Sequence, residues 1–392
     1  MTDLSAISWP VIHWNEAGEE KSARWRSESD TPPPKRVVIA DDRMTADSAY
    51  RLACEGTALL WRGDFQNARQ LLQAMTRRAH EKPRAGKNKK IPATPAESFH
   101  LHRQAQSQRA RTLGMLLIPF NHDYSIPLRR APDVRQACIA AYGPETKDTS
   151  AVPFIASLRG LQGLVGAYEW RRNGVEIPAL DARIHPHYGV FAPIRSEYIG
   201  LVNDAPFPEL TKSRSLAFDI GTGTGVLAAV LARRGIKRII ATDQDPRALA
   251  CARENLTRLG LAAQVDVVQA DLFPEGRASL AVCNPPWIPA RPSSPLEHAV
   301  FDPESRMLRG FLNGLVAHLE IGGEGWLILS DLAEHLGLRT RDELLAAIDA
   351  AGLKVLGKID VKPHHPRVSD TGDPLHAARA AELTSLWRLA AK

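Results

Sequence analysis

The residues with the clearest chemical content stand four in a row, Asn284-Pro285-Pro286-Trp287, directly after the apolar run Ala281-Val282-Cys283. Each proline lacks a backbone donor and fixes φ, and the residue before a proline is held in extended geometry. A strand therefore stops abruptly there, with a rigid amide side chain beside a large ring. A second group lies upstream in FDIGTGTGVL, where Asp219 precedes Gly221, Gly223 and Gly225. Glycines permit positive φ and let the backbone approach a ligand closely, while a helix that follows supplies free N–H donors. By itself such a turn serves equally well as a tight strand-to-helix connection. Asp243 ends another apolar run, where a carboxylate can accept two hydrogen bonds from ribose hydroxyls, and Asp271 in VVQADLF is placed to take a base amino group. Either aspartate alone could be a helix cap or a solvated strand end; together with the glycine turn they describe a nucleoside site.

To meet on one ligand, these residues must sit at the ends of adjacent strands. From Arg183 onward, short apolar runs alternate with amphipathic segments, the pattern of a mostly parallel sheet with helical crossovers. Strands are expected at 215–220, 238–242, 265–269, 280–283 and 326–329, with LKVLGKIDV and LTSLWRL as a closing antiparallel pair. Helices are expected at 225–234, 246–259, 304–318 and 342–351, the second opened by Asp245 as N-cap and Pro246 in the first turn. The expected fold is α/β: a Rossmann-like, seven-stranded, mostly parallel sheet over residues 181–392. Residues 1–45, which contain TPPPKR, read as an irregular arm. Residues 46–180 read as a mainly helical domain from apolar spacing over 46–62, 65–78, 97–117, 131–141 and 157–171.

The glycine turn runs D-x-G-x-G-x-G rather than G-x-G-x-x-G. A carboxylate at Asp219 would repel a pyrophosphate but suits the α-ammonium of a methionine moiety, so the ligand is cationic. The run Asp219 to Gly225, Asp243, Asp271 and Asn284-Pro285-Pro286-Trp287, in this order, resembles the class I S-adenosylmethionine-dependent methyltransferases, in the branch that methylates amino or amide nitrogen. The resemblance covers residues 183–392. It implies S-adenosyl-L-methionine as cofactor, with Asp219 and the backbone of Gly221, Gly223 and Gly225 on the methionine part. It further implies Asp243 on the ribose and Asp271 with the Leu272 backbone on the adenine. YGVFAPIRSEYIGLV looks like the family's cofactor-covering segment, with Phe191 and Pro193 at the matching positions; Phe191 as a plain core residue fits equally. The catalytic set is then Asn284, Pro285 and Trp287. The Asn284 oxygen and the Pro285 carbonyl accept both N–H bonds of a planar amino group, and Trp287 gives it a face to stack on.

Members with such a tetrapeptide modify bases in nucleic acids or the glutamine amide of release factors and a ribosomal protein. WIPA resembles the glutamine branch, although tryptophan stands where that branch carries tyrosine. Charge points the other way. The chain carries a net +6, but between Arg51 and Ser150 there are 17 Lys and Arg against 8 Asp and Glu, densest in RRAHEKPRAGKNKK. Clustered cations attract phosphate backbones. The expectation is therefore an RNA or DNA substrate, with a protein glutamine amide as the alternative and a small-molecule acceptor or a non-catalytic binding module behind both. A cytoplasmic enzyme with no membrane partner is expected, because no apolar run reaches the ~18–20 residues of a span and no signal peptide opens the chain. No metal is expected: Cys54, Cys138, Cys251 and Cys283 are scattered and read as small buried residues, and His364 and His365 in PHHPR lack a third ligand.

Overall fold

A computed structural model of the chain describes residues 9–29, 31–80, 92–144, 153–213, 216–292, 295–363 and 372–392. The densest part of the basic stretch, 81–91, and His364 and His365 lie outside the described residues. The chain divides into two compact units, one of residues 1–91 and 102–168, the other of 92–101 and 169–392.

The first unit contains β1 (Val11–Glu16), β2 (Glu19–Trp25), β3 (Arg36–Ala40), α1 (Ala46–Cys54), β4 (Thr57–Trp61), α2 (Phe65–His80), most of α3 (Pro95–Leu113), β5 (Leu116–Phe120), α4 (Arg135–Tyr142), β6 (Phe154–Ser157) and most of α5 (Leu158–Asn173). Its strands form one mixed sheet in the order β1-β2-β6-β5-β4-β3, in which β3, β4 and β5 run parallel. The expected arm and helical domain are thus corrected: 11–40 hold three strands, and the domain is built on a sheet. The cause is local. β4 (TALLW) is buried at every position, so its leucines show no alternation and merge with the helical spacing of α1 before them.

The second unit holds the expected sheet. It contains β7 (Val175–Ile177), β8 (Ala182–Ile184), α6 (Glu197–Asp204), α7 (Glu209–Ser213), β9 (Leu216–Ile220), α8 (Val226–Arg233), β10 (Arg238–Asp243), α9 (Pro246–Arg258), β11 (Val265–Gln269) and β12 (Ala278–Cys283). These are followed by α10 (Arg306–His318), β13 (Leu319–Ser330), α11 (Leu332–His335), α12 (Arg341–Ala350), β14 (Leu353–Val361), α13 (His376–Ala381) and β15 (Thr384–Ala391). Seven strands pair in the order β11-β10-β9-β12-β13-β15-β14, parallel from β11 to β13 and antiparallel at β15.

Period-two alternation sorts the side chains onto two faces. Ala217, Ile239 and Val282 pack with α6 and α8, whereas Phe218, Ile220, Ala281 and Cys283 pack with α10 and α12. Helix α8 is buried at seven of its eight positions, which is why VLAAVLA carries no polar stripe. Helix α9 starts as expected, with the Asp245 side chain accepting from the Arg247 N–H. Helix α12 starts with a reciprocal Thr340–Glu343 capping box. The chain begins the sheet at β9, builds outward to β11, then returns to place β12 on the other side of β9. That reversal is the topological switch point where open α/β sheets bind ligands beyond the carboxyl ends of their strands.

Candidate active site

Register brings the singled-out residues to one end of the sheet. Ile220 of β9 pairs with Thr242 of β10 and with Cys283 of β12. Consequently Gly221, Asp243 and Asn284, each the next residue along its strand, stand at adjacent carboxyl ends.

The turn after β9 is left-handed at all three glycines, with φ of 73° at Gly221, 55° at Gly223 and 81° at Gly225. At Gly225 a side chain would also stand 3.2 Å from the Cα and Cβ of Ala252, where α9 crosses close to the turn. Gly225→Ala should therefore lower unfolding stability by roughly 1–3 kcal/mol from backbone strain alone, measurable as a shifted urea midpoint. Asp219 lies beneath the turn, 1 % exposed. Its Oδ2 accepts from the Thr222 hydroxyl at 2.6 Å and from the Ala228 N–H at 3.0 Å, tying the loop to the first turn of α8. Burial, partly offset by those two bonds, pushes its carboxyl up to about 6. Asp243 accepts from the Gly223 N–H at 3.1 Å and the Asp245 N–H at 3.0 Å, and burial raises its pKa as well.

Two carboxylates destabilised by desolvation on adjacent strands form a site that gains from a bound cation and from hydroxyl donors. A sulfonium-bearing amino acid joined to a ribose diol meets both needs, so the residues present fit S-adenosyl-L-methionine.

Beyond β11, Asp271 is exposed, and its Oδ2 accepts from Arg306 Nη2 at 2.9 Å. Leu272 stands at φ 75°, a region that non-glycine residues rarely occupy. Its carbonyl is held by the Thr242 hydroxyl at 2.5 Å. The strain falls on the one residue whose backbone was expected to meet the adenine. Phe191 is 38 % exposed and Pro193 is buried. Their segment lies along the start of α9, where Val190 packs on Ala248 and Cys251 and Gly189 abuts the Arg247 guanidinium.

After β12, Asn284 and Trp287 are half-buried and Pro285 is buried. The Trp287 indole N–H donates to Asn284 Oδ1 at 2.9 Å, and the Arg195 guanidinium lies 4.8 Å from the Trp287 ring centroid. Ile288 makes a parallel bridge to Phe301, and Asp302 then caps α10 by accepting from the N–H groups of Met307 and Leu308 at 3.0 and 3.1 Å. The Met307 methyl group reaches Gly221. Three of the four cysteines, Cys138, Cys251 and Cys283, are buried, whereas Cys54 is exposed. Among the described residues no group of three His, Cys, Asp or Glu could hold a metal ion, and no helix is long and apolar enough to cross a membrane.

Sequence reasoning did not single out Thr222, Arg195, Glu382, Asp302 or Asn255. Asn255 is 1 % exposed in the middle of α9, where its Nδ2 donates to the Thr224 carbonyl at 3.1 Å and its Oδ1 accepts from the His185 N–H at 2.8 Å. An amide inside an otherwise apolar helix stripe was the available signal.

Residues 201–338 match the family described as the methyltransferase small domain. Over this third of the chain, roughly, the sequence is similar to a methyltransferase domain. The match spans the glycine turn, Asp243, Asp271 and Asn284. A release factor glutamine methyltransferase of Cereibacter sphaeroides is 33% identical over 179 residues, 41% of this chain and 58% of that protein. A ribosomal protein L11 methyltransferase of Pelotomaculum thermopropionicum is 49% identical over 69 residues, 17% of this chain and 22% of that protein. The chain therefore spans less than two thirds of the length of these relatives. A solved ribosomal protein L11 methylase of Lactobacillus delbrueckii subsp. bulgaricus aligns with a TM-score of 0.33 at 16% identity, over 50% of this chain and 79% of that one.

Proposed function

We propose that the protein transfers a methyl group from S-adenosyl-L-methionine to a planar amide nitrogen, the side-chain carboxamide of a glutamine in a protein acceptor. One observation carries the reading: Asn284 stands at the carboxyl end of β12, beside the strand whose glycine turn and buried Asp219 suit the cofactor. The preference for RNA or DNA drawn from charge gives way here. The relatives named above act, by their names, on release factors and on a ribosomal protein.

The cofactor, when bound, supplies a methyl group already activated by its sulfonium. The chain's own residues supply position. A carboxamide nitrogen is a weak nucleophile because its lone pair is delocalised into the carbonyl. Asn284 Oδ1 and the Pro285 carbonyl accept the two N–H bonds, which fixes the nitrogen and turns its lone pair out of the amide plane. These acceptors also favour the positive charge that develops on nitrogen as the new bond forms, and one of the two gripped protons then passes to solvent, leaving the neutral N-methyl amide. Asp219 and the turn glycines hold the methionine end, Asp243 the ribose, and Asp271 with the Leu272 N–H the base.

Asp243→Ala should weaken cofactor binding by roughly tenfold or more, since hydrogen bonds to a charged group contribute ~1.5–3 kcal/mol; calorimetry checks this, and an unchanged dissociation constant removes the ribose assignment. The substrate class is tested by incubating extract from a deletion strain with purified enzyme and tritiated cofactor. Label lost on protease digestion and retained through nuclease treatment is the expected result, and the opposite pattern overturns the glutamine reading.

A further inference from the structure

We infer that Trp287 is the positioning residue for Asn284, and that Arg195, anchored on Glu382, holds Trp287 in place; this rests on the methyl-transfer reading above. A carboxamide is nearly symmetric in shape, so its two flipped orientations differ chiefly in the partners they meet. In one, Asn284 presents its oxygen to an incoming NH₂. In the other it presents its own NH₂, donor against donor, and no acceptor can be gripped. The Trp287 indole N–H, 2.9 Å from Asn284 Oδ1, pairs only with the oxygen. An sp² oxygen carries two lone pairs, so one bond from the indole leaves the second lone pair for the acceptor. A phenylalanine ring has no such donor, and a tyrosine carries its hydroxyl at the far end of the ring.

The ring is held from one side by a network on three elements. Arg195 precedes α6, stacks on Trp287, donates from Nε to Glu197 Oε1 at 2.6 Å and from Nη2 to Glu382 Oε1 at 3.0 Å. The Glu382 side chain, between α13 and β15, is fully buried and also accepts from the Ser330 hydroxyl at 2.6 Å. Its other oxygen, Oε2, is buried and meets no donor among the described residues. A buried carboxylate so sparsely partnered binds its arginine firmly, because losing the cation would leave an uncompensated charge. The guanidinium therefore closes one ring face to any substrate and fixes the angle at which the indole edge meets Asn284.

The test replaces Trp287 with β-benzothienylalanine by stop-codon suppression, a near-isostere that keeps the fused ring and carries sulfur in place of the N–H donor, alongside W287F. Both variants should lower kcat roughly tenfold or more, about the loss of one hydrogen bond's orientation in the transition state. The KM of the protein acceptor and the cofactor dissociation constant should stay within about twofold, as expected for an interaction that acts on the transition state alone. Independently, the Trp287 indole ¹H–¹⁵N resonance, identified by its disappearance in W287F, should shift and exchange faster with solvent in Asn284→Leu and in Arg195→Met. Wild-type kcat in the isostere, or an indole resonance unmoved by Asn284→Leu, overturns the inference. Absence of methyl transfer by the wild-type enzyme to any protein acceptor would instead defeat the glutamine reading, and the resonance would still decide the contact.

Discussion

Asn284→Ala is expected to lower kcat by about 10²–10³ while leaving the affinity for S-adenosyl-L-methionine within about twofold, the size of effect that follows loss of one preorganised polar group at a reacting centre. The two halves of that expectation come from different parts of the site. Cofactor affinity depends on the turn after β9 and on Asp243, which are braced by hydrogen bonds from Thr222 and Ala228 to Asp219 and from Gly223 and Asp245 to Asp243. Turnover depends on the acceptor nitrogen, whose grip would fall to the Pro285 carbonyl alone. Asn284→Asp should be much milder, because a carboxylate still accepts from the acceptor and from the Trp287 indole. Steady-state kinetics on a purified protein acceptor, with calorimetry on the cofactor, separate the outcomes. Equal losses in kcat and in cofactor affinity would show that Asn284 shapes the whole pocket rather than the transition state.

The second unit was largely legible because its signals are local. β11 and β14 fall where the apolar runs place them, Val265–Gln269 and Leu353–Val361. Glycine turns, strand-end aspartates and a proline-terminated strand each announce themselves within a few residues. The first unit was not legible for the same reason. β5 (LLIPF) directly follows the long helix α3 and is four-fifths buried, so it reads as that helix's last turn. The hairpin of β1 and β2 turns at Ala17 and Gly18, with φ of 56° and 86°, without the Asn-Gly pair that usually marks such a turn. Within the site, what pattern could not show was direction. The sequence contains Asp219, but not that its carboxylate turns under the loop toward Thr222 and Ala228. Arg195 and Glu382 lie 187 positions apart, and no spacing rule joins them. Trp287 was expected as a stacking platform; its ring edge is already engaged by Asn284 and one face by Arg195.

Asp219→Asn should move stability and cofactor affinity in opposite directions. In the folded chain burial raises the Asp219 carboxyl from its model-compound value of 3.8 to about 6. The folded state therefore binds a proton that the unfolded chain has already released between those two values, and the slope of stability with pH is negative across that window. Below about pH 4 the group is protonated in both states and costs nothing; above about pH 6 the buried charge costs its full amount, up to about 3 kcal/mol at 1.36 kcal/mol per pKa unit. Asparagine carries no charge, and its single carbonyl oxygen can still accept from both Thr222 and Ala228. The ligand-free variant should thus be more stable than wild type at pH 7–8, with the difference shrinking to nothing as the pH falls toward 4. Its affinity for S-adenosyl-L-methionine should fall roughly 10- to 100-fold, because a charge-assisted contact to the ligand's ammonium, ~1.5–3 kcal/mol, is lost. Urea unfolding across pH together with calorimetry reads both arms. A variant that binds the cofactor as wild type does would reduce Asp219 to a loop brace. One whose stability relative to wild type is the same at pH 8 as at pH 4 would mean that folding leaves the Asp219 carboxyl with the same pKa as in the unfolded chain, and that burying its charge costs nothing net.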